Sequence, residues 1–270
     1  MIKQAIIPLA GLGTRLLPLT SVIPKELLPI NGKPGIEYIL DECIKSGITE
    51  IIFIISKKKE SIKKYFYNDA LYKKLIKKKN DKRIKQDYKK IKKYKKMIKF
   101  VYQNLPRGTG DAVLKCEKLI KSDFFLMLMP DDLIIKNNCS RSMIALHKKY
   151  KSSVIASKKV SKNNVSRWGI LDVKKINGRN FIIQDVVEKP KTKNAPSRYA
   201  VIGRYILPKK IFKILKKQKP GRNGEIHITD SIKALIFSQN KFIGHIFRGK
   251  YLDCGSMRGY INSTLEISKL

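Results

Sequence analysis

Short apolar runs alternate with amphipathic stretches along this chain, and the alternation predicts its secondary structure. Residues 3–8 are predicted as the first strand, and residues 51–55 as a second strand that is apolar at every position, as expected when a sheet is covered on both faces. Gly47 precedes that second strand and ends a predicted helix. Five apolar residues of that helix recur at helical spacing: Ile36, Ile39, Leu40, Cys43 and Ile44.

The alternation continues to the middle of the chain. Residues 100–103 are predicted as a third strand, 111–120 as a helix and 124–129 as a buried fourth strand. Strands that alternate with helices in this order indicate a mainly parallel, Rossmann-like sheet with helices on both faces. The lysine-rich stretch 57–99 has Tyr, Leu and Ile at loose helical intervals and is predicted as a solvated helical insert.

After Ser152 the predicted strands become shorter, and a turn at Asn177-Gly178 predicts a hairpin. Because no Pro/Ser/Gly-rich linker occurs, we expect one domain over 1–270. Its parts are a nucleotide-binding half at 1–150, a second half at 151–256 that closes over the substrate, and a C-terminal helix at 257–270. The strands predicted in the second half lie around 153–160, 168–173, 180–188 and 199–207.

Composition narrows the class of protein. The chain has 270 residues, 43% of them hydrophobic, which suits a globular domain with a substantial core. Its four cysteines lie far apart with no C-x-x-C pair, so we expect neither a zinc site nor a disulfide framework, but reduced thiols in the cytoplasm. The sequence contains no signal-peptide pattern and no uninterrupted apolar segment of about 18 residues, so secretion and membrane spanning are not supported.

The net charge of +38 comes from 59 Lys and Arg against 21 Asp and Glu. Such an excess is typical of nucleic-acid-binding proteins. Most of it is lysine scattered along the whole chain together with much Ile and Asn, which indicates AT-rich codon bias at tolerant surface sites. No zinc-finger, RNA-recognition or helix-turn-helix signature accompanies it, so we expect no specific nucleic-acid partner. Nonspecific affinity for polyanions is a physical by-product.

The turn after the first strand is a candidate phosphate site. Gly11 and Gly13 let backbone N–H groups approach an anion, and Arg15 adds a forked cationic donor. A dinucleotide fingerprint needs a third glycine where Leu16 stands, and no P-loop spacing occurs in the chain. A tight turn without a ligand is the plain alternative.

Two further segments carry candidate chemistry. Asp131 and Asp132 follow a buried strand at the carboxyl edge of the predicted sheet, where either could bind Mg²⁺, or form an Asx turn or helix cap. Gly108 and Gly110 follow another strand, where their bare backbone could pack against a flat base. The amide of Gln103 could both donate to and accept from a base edge.

The segment AGLGTRLLPLTSVIPKELLPI resembles the signature of the sugar-nucleotide pyrophosphorylases, in which G-x-G-T-R-x-x-P-x-T precedes P-K and L-P. Pro24-Lys25-Glu26 looks like the bacterial UTP:glucose-1-phosphate uridylyltransferase branch, whereas the thymidylyl branch typically shows Ser-Lys-Gln. The resemblance runs in order along nearly the whole chain. It implies an α/β fold, a Rossmann-like three-layer arrangement with a mixed sheet, of the nucleotide-diphospho-sugar transferase type.

The resemblance also implies functional residues. The metal-binding position falls on Asp131, with Asp253 in YLDCGS completing the site, and Mg²⁺ is the expected cofactor. Catalytic roles fall on Arg15, Lys25 and Lys189, and sugar contacts on Gly169, Glu188 and Lys189. Nucleotide-binding positions are Ala10, Gly11, Leu12, Gly13, Thr14, Glu26, Gln103 and Gly108.

The chain departs from the family at a few positions. Thr109 and Asp111 stand in Gly-Thr-Gly-Asp-Ala where the family usually shows Gly-Leu-Gly-His-Ala, and Gly224 stands where the family has aspartate. Trp168-Gly169-Ile170 replaces the usual Tyr-Gly-Val. The family often carries another helix or two beyond the match to GYINSTLEISKL, and a homo-oligomer is expected.

The implied reaction is an in-line attack of glucose 1-phosphate on the α-phosphorus of UTP, giving UDP-glucose and pyrophosphate. The attacking phosphate oxygen is already anionic, so no general base is needed, and catalysis consists of alignment and charge neutralisation. Two alternatives remain at this stage. The chain could use dTTP or another sugar 1-phosphate, or it could be an inactive paralogue that binds polyanions.

Overall fold

The computed structural model of the chain describes residues 2–221 and 224–270. Its strands are β1 Gln4–Pro8, β2 Pro29–Ile30, β3 Lys33–Pro34, β4 Glu50–Ile55, β5 Ile98–Tyr102, β6 Phe124–Leu128, β7 Asp132–Ile135, β8 Ser153–Lys159, β9 Gly169–Asn177, β10 Asn180–Glu188, β11 Tyr199–Pro208, β12 Phe242–Ile246 and β13 Lys250–Asp253. Its α-helices are α1 Gly35–Lys45, α2 Glu60–Tyr67, α3 Ala70–Lys79, α4 Lys82–Met97, α5 Thr109–Leu114, α6 Cys139–Tyr150, α7 Ile211–Leu215, α8 Ile228–Phe237 and α9 Met257–Ser268.

A nine-stranded mixed sheet runs through the molecule in the order β5-β4-β1-β6-β11-β8-β12-β10-β9. The first four strands are parallel, as the alternation of strands and helices predicts. The chain first adds β4 and β5 on one side of β1 and then places β6 on the other. This change of direction creates a switch point at the carboxyl ends of β1 and β6, where open α/β sheets bind ligands.

The second half of the sheet is mixed. β11 runs antiparallel to β6 and β8, β12 is parallel to β8, and the β9–β10 hairpin forms the far edge. The turn of this hairpin falls at Gly178, whose φ of 57° is the left-handed conformation that an Asn-Gly turn provides. β9 also pairs with the start of β11, so the end of the sheet curls back towards its middle.

The sheet separates two hydrophobic layers, because alternate residues of its central strands point to opposite faces. Ile7 and Phe53 pack on one side with α1, α2, α4 and α6, whereas Ile6 and Ile52 pack on the other side with α5, α7 and α8. The result is a three-layer α/β arrangement, and the central strands read as continuous apolar runs because both of their faces are covered.

The stretch 57–99 is helical, but the prediction that it is a solvated insert is wrong for part of it. α2 and α4 bury Ile62, Phe66, Ile91 and Tyr94 in the core. The predicted helix 111–120 is shorter, because α5 ends at Leu114 and a 3₁₀ turn follows. Five strands and three helices were not predicted from the sequence: β2, β3, β7, β12 and β13, and α6, α7 and α8.

All four cysteines are buried free thiols: Cys43, Cys116, Cys139 and Cys254. Within residues 2–221 and 224–270, none of the helices combines the length and apolar composition needed to cross a bilayer.

Candidate active site

The candidate site lies at the carboxyl ends of the four parallel strands. β1 leads into the loop from Ala10 to Arg15, and β4 into a turn that contains Lys59. β5 leads to Gln103, and β6 to Asp131. Because parallel strands end at one edge of the sheet, the fold brings these side chains together although they are far apart in sequence.

The loop after β1 exposes a run of backbone donors. Among the described residues, no acceptor takes the N–H groups of positions 10 to 15. Gly13 has φ 72°, and its carbonyl accepts a hydrogen bond of 2.8 Å from the Thr20 hydroxyl, which fixes the loop. Successive unpaired N–H groups in such a turn form a concave surface that attracts phosphate oxygens.

Lys25 and Arg15 converge on one carboxylate. Lys25 Nζ lies 2.7 Å from Asp131 Oδ2, and Arg15 Nη2 lies 3.6 Å from the same oxygen. Burial favours the neutral amine, but the negative charges of Asp131 and Glu26 outweigh it and raise the pKa of Lys25. Burial would likewise raise the pKa of Asp131, yet Lys25 and Arg15 hold it below its ordinary value. Two cations and an anion therefore stand together beside the loop.

Asp253 lies close to this cluster. A Cβ atom built on Gly255 would be 2.7 Å from Asp131 Oδ2 and 3.1 Å from Asp253 Oδ1, so both carboxylates border the space that this glycine leaves open. The N–H of Gly255 donates to Asp253 Oδ1 at 2.8 Å, and the N–H of Cys254 donates to the carbonyl of Asp131 at 2.8 Å. These bonds fix the two aspartates relative to each other.

Asp132, the other metal candidate considered from the sequence, is used in holding the fold. Its Oδ2 accepts from the N–H of Gly203 at 2.8 Å and its Oδ1 from the hydroxyl of Tyr251 at 2.6 Å. Burial and the neighbouring charge of Asp131 raise its pKa to about 6. Asp131, by contrast, faces the two cations.

Glu26 forms a buried ion pair with Lys59. Both carboxylate oxygens accept from Lys59 Nζ, at 2.9 and 2.8 Å, and the two residues are only 3% and 7% exposed. Burial lowers the pKa of Lys59 although Glu26 opposes the shift. The pair ties the Pro24-Lys25-Glu26 segment to the turn after β4.

A cavity of about 320 Å³ adjoins these charged groups. All eight positions expected to bind nucleotide line it: Ala10, Gly11, Leu12, Gly13, Thr14, Glu26, Gln103 and Gly108. Lys25 and Pro130, the residue before Asp131, also line the cavity. The cavity is therefore lined both by a phosphate-suited loop and by Gln103 and Gly108, which form its glutamine wall.

The glutamine wall has a defined geometry. Gln103 Nε2 donates to the carbonyl of Gly108 at 3.1 Å and to Asp111 Oδ2 at 2.7 Å. Gly108 has φ 93°, and a Cβ there would come within 2.6 Å of the Ile226 carbonyl oxygen, so only glycine fits. Thr109, the other departure from the family pattern, accepts from the Ile228 N–H at 3.3 Å.

A second cavity holds two of the three positions expected to contact sugar. Glu188 and Lys189 line it together with Ser166, His227 and Asp230. Glu188 Oε2 would be 3.3 Å from a Cβ at Gly169, the residue paired with it across β9 and β10. The Lys189 side chain is half exposed, with Nζ 3.8 Å from Glu188 Oε1.

Two contacts connect this sugar-side segment with the aspartates. Trp168 packs edge-on against Tyr251, with ring centroids 5.6 Å apart, and Tyr251 binds Asp132. Arg167 Nη2 lies 3.9 Å from Asp253 Oδ2. The strand that carries Gly169 therefore begins beside the carboxylate pair.

Several residues of the candidate site are not evident from the sequence. Lys59 lies in a lysine run that gives no local sign of its partner, and no motif predicts a role for Arg167, although it precedes Trp168-Gly169. Glu225 lies in a segment matched to the family but received no role. Pro106, Thr109 and Met129 also line the nucleotide-side cavity.

Comparison with known proteins agrees with this arrangement. The family model described as nucleotidyl transferase matches residues 4–269. A putative UTP–glucose-1-phosphate uridylyltransferase of Methanocaldococcus jannaschii is 36% identical over 99% of this chain and 93% of its own length. The UTP–glucose-1-phosphate uridylyltransferase of Bacillus subtilis is also 36% identical, over 99% of this chain and 91% of its own.

Solved structures give the same result. An apo UDP-glucose pyrophosphorylase matches with a TM-score of 0.91 and 36% identity, covering 100% of this chain and 99% of that one. A UTP-bound UGPase from Acinetobacter baumannii matches with a TM-score of 0.88 and 34% identity, over 99% and 93% of the two chains.

Proposed function

This chain belongs to the nucleotidyl transferase family, and we propose that it transfers the uridylyl group of UTP to glucose 1-phosphate. The protein is a nucleotidyltransferase that forms UDP-glucose and releases pyrophosphate. The observation that best supports this is the convergence of Lys25 and Arg15 on Asp131, next to a loop of unpaired N–H groups and a cavity with a glutamine wall.

The proposed catalysis is alignment and charge neutralisation. The N–H groups of the loop from Ala10 to Arg15 hold the phosphates of UTP, and Lys25 and Arg15 neutralise charge at the α-phosphorus and on the leaving pyrophosphate. An oxygen of glucose 1-phosphate attacks the α-phosphorus, and the bond to the bridging oxygen of pyrophosphate breaks. No side chain has to remove a proton, because the attacking oxygen is an anion.

Mg²⁺ fits the residues present. Asp131 and Asp253 supply hard carboxylate oxygens on either side of the space at Gly255. Within the described ranges, no group of three or more His, Cys, Asp or Glu could hold a metal ion by itself. A magnesium ion commonly needs only one or two carboxylates when phosphates and water complete its shell, and it would then neutralise phosphate charge.

Sugar binding is proposed at the second cavity. There Glu188 would accept hydrogen bonds from sugar hydroxyls, Gly169 would let the backbone approach the sugar, and Lys189 would meet its phosphate. The half-exposed Lys189 side chain and the open space around it support this assignment.

On this proposal, residues 1–150 bind the nucleotide and residues 151–256 bind the sugar within one domain. A cytoplasmic location and a homo-oligomer are also proposed, the first because all four cysteines are free thiols.

The test is pyrophosphate release from UTP and Mg²⁺, measured with and without glucose 1-phosphate and with dTTP in parallel. We expect release only when UTP and glucose 1-phosphate are both present. A preference for dTTP would instead assign the chain to the thymidylyl branch. No release with either nucleotide would contradict the proposed reaction.

A further inference from the structure

The Gln103 amide is held in one orientation by two acceptors. Its Nε2 donates to Asp111 Oδ2 at 2.7 Å and to the carbonyl of Gly108 at 3.1 Å, which uses both amide hydrogens. Turning the amide over would place Oε1 against a carboxylate and a carbonyl, neither of which can donate. The reversed orientation is therefore strongly disfavoured.

The other end of the amide remains available. Among residues 2–221 and 224–270, no donor reaches Gln103 Oε1. Gln103 is 6% exposed and lines the nucleotide-side cavity, so the carbonyl is the polar atom that it can offer to a bound base. The wall of the cavity therefore carries an acceptor at this point.

Asp111 is itself firmly placed. It lies in the first turn of α5, is 9% exposed, and has Lys115 Nζ 3.7 Å from its Oδ1. One carboxylate oxygen thus faces a lysine while the other faces the glutamine. The acceptor that orients Gln103 is built into a helix and does not depend on a mobile side chain.

We propose that Asp111 is a positioning residue that sets base selectivity by fixing the polarity of the Gln103 amide, a proposal that rests on the function above. Once N1 carries the ribose, uracil has a single N–H on its base edge, at N3, and this N–H can donate to Gln103 Oε1. Cytosine has an acceptor at N3, which the same oxygen repels. Thymine keeps the N3–H, so this arrangement selects UTP and dTTP together against CTP.

The experiment compares kcat/KM for UTP and CTP, with glucose 1-phosphate and Mg²⁺, in the wild type and in Asp111→Asn. Asparagine has nearly the same shape, but its neutral amide is a weaker acceptor than the carboxylate and can offer a donor instead, so the orientation of the Gln103 amide is less strongly fixed. We expect the UTP/CTP ratio to fall about tenfold, the value of one hydrogen bond, through a higher KM for UTP. Glu117→Gln is the matched control, because Glu117 pairs with Lys216 outside the cavity, and its ratio should equal that of the wild type.

A second comparison separates positioning from a general structural role. In a Gln103→Leu background, Asp111→Asn should leave the UTP/CTP ratio unchanged, because the amide through which Asp111 acts is absent. An unchanged ratio in the single variant, or an equal fall in the Gln103→Leu background, would overturn the proposal. Asp111→Leu, which removes the acceptor but keeps a similar size, provides a second single variant if Asp111→Asn unfolds, and the same fall in the ratio is expected.

A protein that does not catalyse the proposed reaction can be distinguished from one in which Asp111 has no positioning role. If the wild type releases no pyrophosphate, calorimetric binding of UTP and CTP in the same variants still measures the ratio without turnover. A binding ratio that Asp111→Asn leaves unchanged would overturn the role of Asp111 independently of the reaction.

Discussion

Lys25 Nζ lies 2.7 Å from Asp131 Oδ2, so the cation after the glycine loop and the carboxylate after β6 form one ion pair across the switch point of the sheet. The pair joins residues that are 106 positions apart in the chain. Each residue also has an alternative partner: incoming phosphates attract Lys25, and a divalent cation attracts Asp131. Substrate binding is expected to exchange one ion pair for two.

Replacing Lys25 by methionine should lower kcat/KM for UTP at least about 100-fold, because the side chain keeps its length but loses the charge that is proposed to stabilise the transition state. The measurement is steady-state pyrophosphate release. Lys33→Met is the matched control, since Lys33 forms a similar 2.7 Å pair with Asp41 outside the cavity. Equal activity in the two variants would refute the role of Lys25.

Replacing Asp253 by asparagine should raise the Mg²⁺ concentration for half-maximal activity roughly tenfold or more, because the proposed carboxylate ligand becomes a neutral amide. The amide oxygen can still accept from the N–H of Gly255, so the fold is preserved. A magnesium titration at saturating UTP checks this. Asp185→Asn, which removes the partner of Lys233, serves as the control and should follow the wild-type titration.

Replacing Lys59 by methionine should destabilise the protein by about 3–5 kcal/mol, because Glu26 would stay buried without its partner. Urea unfolding measures the loss. The double variant Glu26→Gln/Lys59→Met should recover much of it, since no charge is then left buried. Lys99→Met breaks a half-exposed pair with Glu50 and should cost less than about 1 kcal/mol. A similar small cost for Lys59→Met would show that the buried pair is not needed.

Stability should fall in acid partly through His245. Burial and the charge of Arg179 lower the pKa of His245 to about 4 from its ordinary 6.5. Between these values the unfolded chain binds more protons than the folded chain. The contribution of neutral His245 to the free energy of unfolding is therefore fully present above pH 6.5 and is lost as the pH falls towards 4.

His245→Gln should remove about 1–2 kcal/mol of that decline, a value reduced for partial solvent screening. Unfolding in urea at pH 7 and pH 4 gives the comparison. Parallel declines in the two proteins would show that His245 does not contribute.

The parallel half of the sheet could be predicted because its strands are short apolar runs and glycine-bearing turns mark their ends. β12 and β13 could not, since their short segments take their conformation from distant partners, β8 for one and β7 for the other. The burial of Phe66 and Tyr94 was hidden by surrounding lysines, whose long stems cover apolar surface while their amines reach water.

In the candidate site, too, local motifs could be predicted and contacts between distant segments could not. The loop at Gly11 and Gly13 carries its chemistry in local spacing, so a motif identifies it. The partner of Glu26 is Lys59, one of many lysines, and only the close approach of two loops distinguishes it from the rest. Asp111 differs from the histidine that the family usually has at this position, so the sequence draws attention to it. Its contact with Gln103, however, depends on how α5 begins after Gly108.

The pairing of β13 with β7 has a consequence for how the protein matures. Asp131 leaves the ribosome long before Asp253, and the strands that surround both depend on contacts between distant parts of the chain, which form slowly. The amino-terminal strands can assemble during synthesis, but the carboxylate pair cannot. A nascent chain is therefore expected to acquire its proposed magnesium affinity only once β13 has been synthesised and has paired with β7.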